Sequence, residues 1–117
     1  AKALKAQLIR MADGRQVNLV LTTGGTGFSP RDITPEATCA VADRNAPGIA
    51  EAMRYHRLSI TPRGMLSRGV SVLRGKPLIV NLPGRPKAVQ ENLEYILPSL
   101  EHGVRIAAGL DGECARK

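Results

Sequence analysis

The residues best suited to chemistry lie in one stretch, Thr22-Thr23-Gly24-Gly25-Thr26-Gly27-Phe28-Ser29-Pro30-Arg31-Asp32. Its glycines let a backbone come close to an anion and turn N–H groups toward it. Thr23, Thr26 and Ser29 add hydroxyls, and Arg31 adds a planar charged donor suited to phosphate. Asp32 puts a carboxylate beside this cradle. Two like charges repel there unless a cation stands between them. Mg2+ held by a carboxylate and by nucleotide phosphates resolves the conflict, which makes Asp32 the candidate metal ligand. A glycine-rich turn with a surface salt bridge explains the same residues without any ligand.

A second stretch, Asn81-Leu82-Pro83-Gly84-Arg85-Pro86-Lys87, places Pro86 at a helix start. A helix N-terminus attracts anions, and Arg85 and Lys87 reinforce it. By itself this is equally a strand-to-helix turn with solvated charges.

Both stretches need elements to hold them. Val17–Thr22 and Leu78–Leu82 are continuously apolar, as strands buried on both faces are, and each runs directly into one of the two loops. Ligands of open α/β sheets sit at the carboxyl ends of strands, which is where both loops fall. Leu4, Leu8 and Met11 mark a helix over Ala1–Asp13, with Gly14 as its cap. Thr34 is placed to cap the next helix, with Pro35 at its first position, Glu36 in its first turn and Ala37, Ala40 and Val41 inward. Asn45–Gly48 breaks that helix, Ile49 and Met53 begin another, and Pro62–Ser67 reads as irregular. Val70–Leu73 and Leu78–Leu82 flank a turn, Arg74–Pro77, and predict a hairpin. Val89, Leu93 and Ile96 give an amphipathic helix that Pro98 should end or kink, and a helical stripe resumes through Leu100 and Val104 to Gly109. The pattern predicts an α/β domain with helices layered on a mostly parallel sheet and a small hairpin, over 1–110, with 111–117 as a tail.

Bulk properties narrow the partners. A net charge of +7 asks for an anionic one. The arginines are scattered singly, and one Phe and two Tyr give no stacking platform for bases, so phosphate-bearing small molecules suit the charge better than nucleic acid. No apolar run approaches the ~20 residues of a membrane span. No signal peptide is evident, and Cys39 and Cys114 fit no metal or redox spacing, so a buried Cys39 and a cytoplasmic location are expected. His56 and His102 lack partners at catalytic spacing.

Thr23–Thr38, Thr-Gly-Gly-Thr-Gly-Phe-Ser-Pro-Arg-Asp-Ile-Thr-Pro-Glu-Ala-Thr, resembles the signature of the molybdopterin adenylyltransferase family, which includes the G domain of gephyrin. The likeness continues through Ala46-Pro47-Gly48, Met65-Leu66-Ser67-Arg68, Arg74-Gly75-Lys76 and Asn81-Leu82-Pro83-Gly84, and ends near Gly109. It implies a three-layer α/β/α molybdopterin-binding domain that forms homotrimers and adenylylates molybdopterin from ATP with Mg2+. It makes Asp32 catalytic, places Gly24–Gly27 in the binding site, and sets Ser67 and Asn81–Gly84 along the same cleft. A metal-insertion domain, fused or associated, is a further implied partner. The family domain opens with a strand–helix–strand portion carrying a second catalytic aspartate. Nothing here matches it, so an open apolar sheet edge is expected, and activity of these residues alone is not. A non-catalytic scaffold of the same fold is the alternative, against which the retained Asp32 argues.

Overall fold

The computed structural model describes residues 1–15 and 17–110; the expected tail and Cys114 lie outside them. In chain order come α1 (Lys2–Ile9), β1 (Leu19–Thr23), α2 (Thr34–Val41), β2 (Arg44–Asn45), α3 (Pro47–Leu58), β3 (Ser71–Leu73), β4 (Leu78–Leu82) and α4 (Pro86–Ala107). A π-helical turn, Arg10–Gly14, extends α1, and a 3-10 helix, Pro62–Leu66, follows α3.

The sheet order is β1-β4-β3-β2. Strand β4 is buried along its whole length, as its apolar run requires. Its alternate side chains feed two cores. Leu78, Val80 and Leu82 meet Met53, Ile96 and Leu100 from α3 and α4. Ile79 turns to the other face and meets Leu8 of α1 and Val41 of α2, together with Val20 and Val72. Helices on both faces give the three-layer α/β/α domain.

The sheet is mixed rather than mostly parallel. Among the described strands only β1 and β4 pair in parallel, Leu19↔Leu78 through Thr23↔Leu82. The β3–β4 hairpin, closed by Gly75 in the left-handed region (φ 61°), is antiparallel, and so is the short β2–β3 pair. Strand β1 is also not central. It pairs only with β4 and leaves Leu21 38% exposed, so one apolar face of this run is open among the described residues.

Local expectations are corrected at the helix ends. Gly14 lies inside the π-helical turn, with no left-handed conformation. Thr34 is the first residue of α2 rather than its cap; Ile33 stands before it, with no side-chain cap bond. Thr38, fully buried, takes the inward position expected of Ala40, while Ala40 and Cys39 are exposed. At the expected break Asn45–Gly48 the two-residue strand β2 ends and α3 starts, and the expected irregular segment is 3-10 helical over Pro62–Leu66, capped by Thr61, which accepts a bond from the Arg63 N–H. Pro98 does not divide α4. Its ring is exposed, and the helix runs on because Ala88, Asn92, Ile96 and Leu100, four residues apart, share one buried face on both sides of it.

Candidate functional site

The parallel pairing of β1 with β4 brings both loops to one end of the sheet. The Gly24 N–H donates to the Leu82 carbonyl at 3.0 Å, continuing the ladder into the loops. A Cβ added to Gly84 would lie 3.3 Å from Gly24 Cα, so the two backbones are in close approach. Gly25 has φ 71°, and a Cβ there would fall 2.2 Å from Thr34 Oγ1. The Thr34 N–H donates to the Gly25 carbonyl at 3.1 Å, which ties the cradle to the start of α2.

Beside these loops lies a cavity of about 450 Å3. Thr26 and Gly27 form one wall and Pro83, Gly84 and Arg85 another; Ser67 and Gly69 come from the segment before β3. Ala50, Met53 and Ala88 supply an apolar floor, and Arg54, Arg57 and Arg63 line the cavity with Arg85. The arginines that look scattered in the sequence thus converge, because α3 carries Arg54 and Arg57 one turn apart and the 3-10 helix folds back over it. Arg54 donates to the Gly69 carbonyl at 2.7 Å, and Arg57 pairs with Glu91 on α4. Arg63 and Arg85 are exposed and make no ion pair among the described residues. A volume of this size, with an apolar floor and convergent cations, suits a small organic anion.

The candidate residues separate into groups. Thr26, Gly27, Ser67, Asn81, Pro83 and Gly84 meet at the cavity. Asn81 is 2% exposed and its amide is committed within the protein: Nδ2 donates to Thr22 Oγ1 at 2.9 Å and Thr38 Oγ1 at 3.0 Å, and Oδ1 accepts from the Val70 N–H at 3.1 Å. It therefore braces the wall. Thr23 faces a separate groove along α4, and Lys87 is exposed on the first turn of that helix. Gly24 and Gly25 shape the loop from behind. Ser29, Arg31 and Asp32 lie outside the cavity, in a turn closed by Asp32: its N–H donates to the Ser29 carbonyl at 2.8 Å, and its Oδ2 accepts from the Ser29 N–H at 3.0 Å.

Arg68, which sequence reasoning did not place in the site, holds this loop in shape. Its N–H donates to the Thr26 carbonyl at 2.8 Å, Nε to the Gly27 carbonyl at 2.7 Å and Nη2 to the Asp32 carbonyl at 2.5 Å. Nη1 pairs with Glu36 on α2. The hydrogen bond from Arg68 holds the Glu36 carboxyl below its ordinary value. In return Glu36, with a smaller contribution from the charge of Asp32, raises the Arg68 guanidinium above its own. A cation thus already stands next to Asp32, and charge balance alone does not demand a metal there. Among the described residues no three His, Cys, Asp or Glu side chains cluster to hold a metal. Asp32 Oδ1 receives no hydrogen bond from them, so one carboxylate oxygen is open to an ion that takes its other ligands from phosphates. Asn92, another cavity residue without a sequence signal of its own, is the polar member of α4's buried stripe.

Comparison with known proteins agrees with this geometry. The profile described as "probable molybdopterin binding domain" matches residues 1–102. A molybdopterin adenylyltransferase of Helicobacter pylori is 45% identical over 106 residues, covering 91% of this chain and 60% of that protein. One from Haemophilus influenzae is 52% identical over 93 residues, covering 80% of this chain and 47% of that protein. The crystal structure of a molybdopterin biosynthesis enzyme from Thermus thermophilus superposes with a TM-score of 0.86 at 49% identity, over 92% of this chain and 68% of that one. The chain thus spans about half to three-fifths of the length of these curated relatives. Among the described residues no helix is long and apolar enough to cross a membrane. With the glycine cradle, the Arg68 brace and the arginine-lined cavity all in the matched span, the chain belongs to the molybdopterin binding domain family.

Proposed function

We propose that the full-length protein adenylylates molybdopterin in molybdenum cofactor biosynthesis. One observation carries the reading: in a chain of this family, an arginine-lined cavity of about 450 Å3 opens against two loops at the carboxyl ends of neighbouring parallel strands. The relatives named molybdopterin adenylyltransferase share 45–52% of their residues over the matched span, which supports the same activity here.

In the proposed reaction an oxygen of the molybdopterin phosphate attacks the α-phosphorus of ATP. The bond to the bridging oxygen of the β-phosphate breaks, and pyrophosphate leaves. The nucleophile is already ionised, so Asp32 is not needed as a base. Its open Oδ1 would hold Mg2+, and the ion would supply charge stabilisation at the phosphates. The chain's own residues do the rest. Arg63 and Arg85 attract the anionic ligand, the Thr26–Gly27 backbone, shaped by Gly24 and Gly25, lets phosphate come close, and Arg68 keeps that backbone from moving during charge development. The family resemblance also suggests a homotrimer, for which exposed Phe28 and Met65 offer apolar surface.

The test is to incubate the full-length protein with ATP, Mg2+ and molybdopterin and follow pyrophosphate together with adenylyl-molybdopterin by mass spectrometry. Equimolar formation of both is expected. Pyrophosphate release that ignores molybdopterin, or none at all, would remove the reading.

A further inference from the structure

The buried face of α4 is the stripe Ala88, Asn92, Ile96 and Leu100. Asn92 interrupts it where the helix borders the cavity. It is 4% exposed, and its Oδ1 is buried without any hydrogen-bond partner. Such an atom carries the desolvation cost of an acceptor with no bond in return, and an aliphatic side chain at this position would carry none. Asn81, equally buried on β4, spends its whole amide on Thr22, Thr38 and Val70. The neighbours of Asn92 on the cavity floor, Ala50, Met53 and Ala88, have no side-chain donor to offer. Arg54 and Arg57 also line the cavity, but they are held on the Gly69 carbonyl and on Glu91 and do not bond Asn92, which leaves the molecule that fills the cavity as a source of the missing donor.

We infer that Asn92 reads a ring N–H of the bound ligand and is the specificity-determining residue at the floor of this cavity. The ligand class that satisfies both ends is a planar heterocycle with an N–H edge and an anionic group. The N–H edge meets Asn92, and the anionic group meets Arg63 and Arg85. Given the function proposed above, on which this inference rests, the heterocycle is the pterin. Oδ1 is closed to solvent, so engagement turns the amide about χ2, a soft torsion for asparagine. The adenine of ATP also carries N–H donors, and the assignment to the pterin is therefore tested against it.

The experiment compares full-length wild type with Asn92→Leu, which keeps the branched shape, though it is bulkier, and removes the acceptor. Calorimetric titrations use pterin, the same pterin methylated at its ring N–H, and ATP. Wild type is expected to prefer pterin over the methylated compound about tenfold, the worth of one well-made hydrogen bond. Asn92→Leu should bind the two alike, leave ATP unchanged, and unfold at the same or a higher temperature, since it removes an unpaired buried acceptor. A purely structural asparagine would lower the unfolding temperature and leave the preference intact, which would overturn the inference. Equal weakening of both pterins, or weakening of ATP alone, would overturn it too. A wild type that binds ATP but no pterin would remove the proposed function and this inference with it. If Asn92→Leu does not fold, Asn92→Ala makes the same comparison.

Discussion

Gly25→Ala is the substitution that tests the cradle most directly. Gly25 has φ 71°, where an L side chain costs about 1–2 kcal/mol, partly offset by roughly 0.4–1 kcal/mol from a stiffer unfolded chain. Strain alone therefore destabilises by about 1 kcal/mol. The new methyl would also fall 2.2 Å from Thr34 Oγ1 and 3.2 Å from Thr34 Cβ. Thr34 is 7% exposed and β-branched, so it has little room to turn, and overpacking of this kind costs about 1–3 kcal/mol. The total is about 2–4 kcal/mol. Gly24→Ala is the matched control. Its φ is 85°, but its methyl would meet only Gly84 Cα at 3.8 Å, an ordinary contact, leaving about 1 kcal/mol of strain. At roughly 4 °C per kcal/mol, thermal unfolding should fall by about 10 °C for Gly25→Ala and about 4 °C for Gly24→Ala. In a Thr34→Ala background the extra cost of Gly25→Ala should shrink toward that of the control. Equal losses for the two glycines, or an excess that survives Thr34→Ala, would refute the claim that Thr34 shapes the cradle.

Three other outcomes are expected. Asp32→Asn should lower adenylylation in the full-length protein at least about a hundredfold yet spare molybdopterin binding, because an amide oxygen can still accept from the Ser29 N–H while it is a poor Mg2+ ligand; turnover within tenfold of wild type would make Asp32 a turn-closing residue only. Since Arg68 lowers the Glu36 carboxyl, the pair stabilises the fold above the ordinary glutamate value of 4.5 and loses its contribution as pH drops through the lower folded value; Glu36→Gln should flatten that acid limb in unfolding curves, and an unchanged limb would discount the pair. Pro98→Ala should raise stability by roughly 1–3 kcal/mol in denaturant titrations, because α4 runs unbroken through an exposed residue that cannot donate its backbone bond; a loss would mean the ring packs against something essential.

Much of the layering is legible in the sequence because burial on two faces leaves a continuous apolar run, and Leu78–Leu82 is one. The same rule misplaces Val17–Thr22, since an apolar run says nothing about how many neighbours a strand has, and Leu21 turns out to be exposed at an edge. Pro98 is misread for a related reason. Its local effect on the backbone is certain, but the apolar stripe on both sides of it decides whether the helix goes on. At the site, the Gly-Gly-Thr-Gly loop announces itself through residue types that act locally. Arg54, Arg57, Arg63 and Arg85 do not, because their convergence depends on α3, the 3-10 helix and the start of α4 meeting around one cavity. Asn92 is hidden for the opposite reason: one amide in an apolar stripe is a weak pattern until its missing partner is seen.

Arg68 changes how the loop's charges are understood. From sequence, a carboxylate beside an anion cradle calls for a metal. In the structure, a guanidinium placed by a segment thirty-six residues away binds the Asp32 carbonyl, the Gly27 carbonyl and Glu36 together. The bonds to the Gly27 and Asp32 carbonyls fix two points on the backbone that carries the cradle, and the Glu36 pair anchors the guanidinium to α2, so the brace acts on the position of the N–H groups rather than on the ligand. Preorganisation of this kind matters most where charge develops on a phosphate, since donors already in place need not reorganise as the barrier is crossed. Arg68→Lys separates this from simple charge balance. Lysine keeps the cation next to Asp32 but cannot span three acceptors at once, since its ammonium lacks the rigid fork. If the positive charge were what mattered, Arg68→Lys would turn over like wild type. If the fork matters, kcat falls while the affinity for molybdopterin, set by the arginines that line the cavity, holds; a loss of affinity with kcat intact would place Arg68 at the ligand instead.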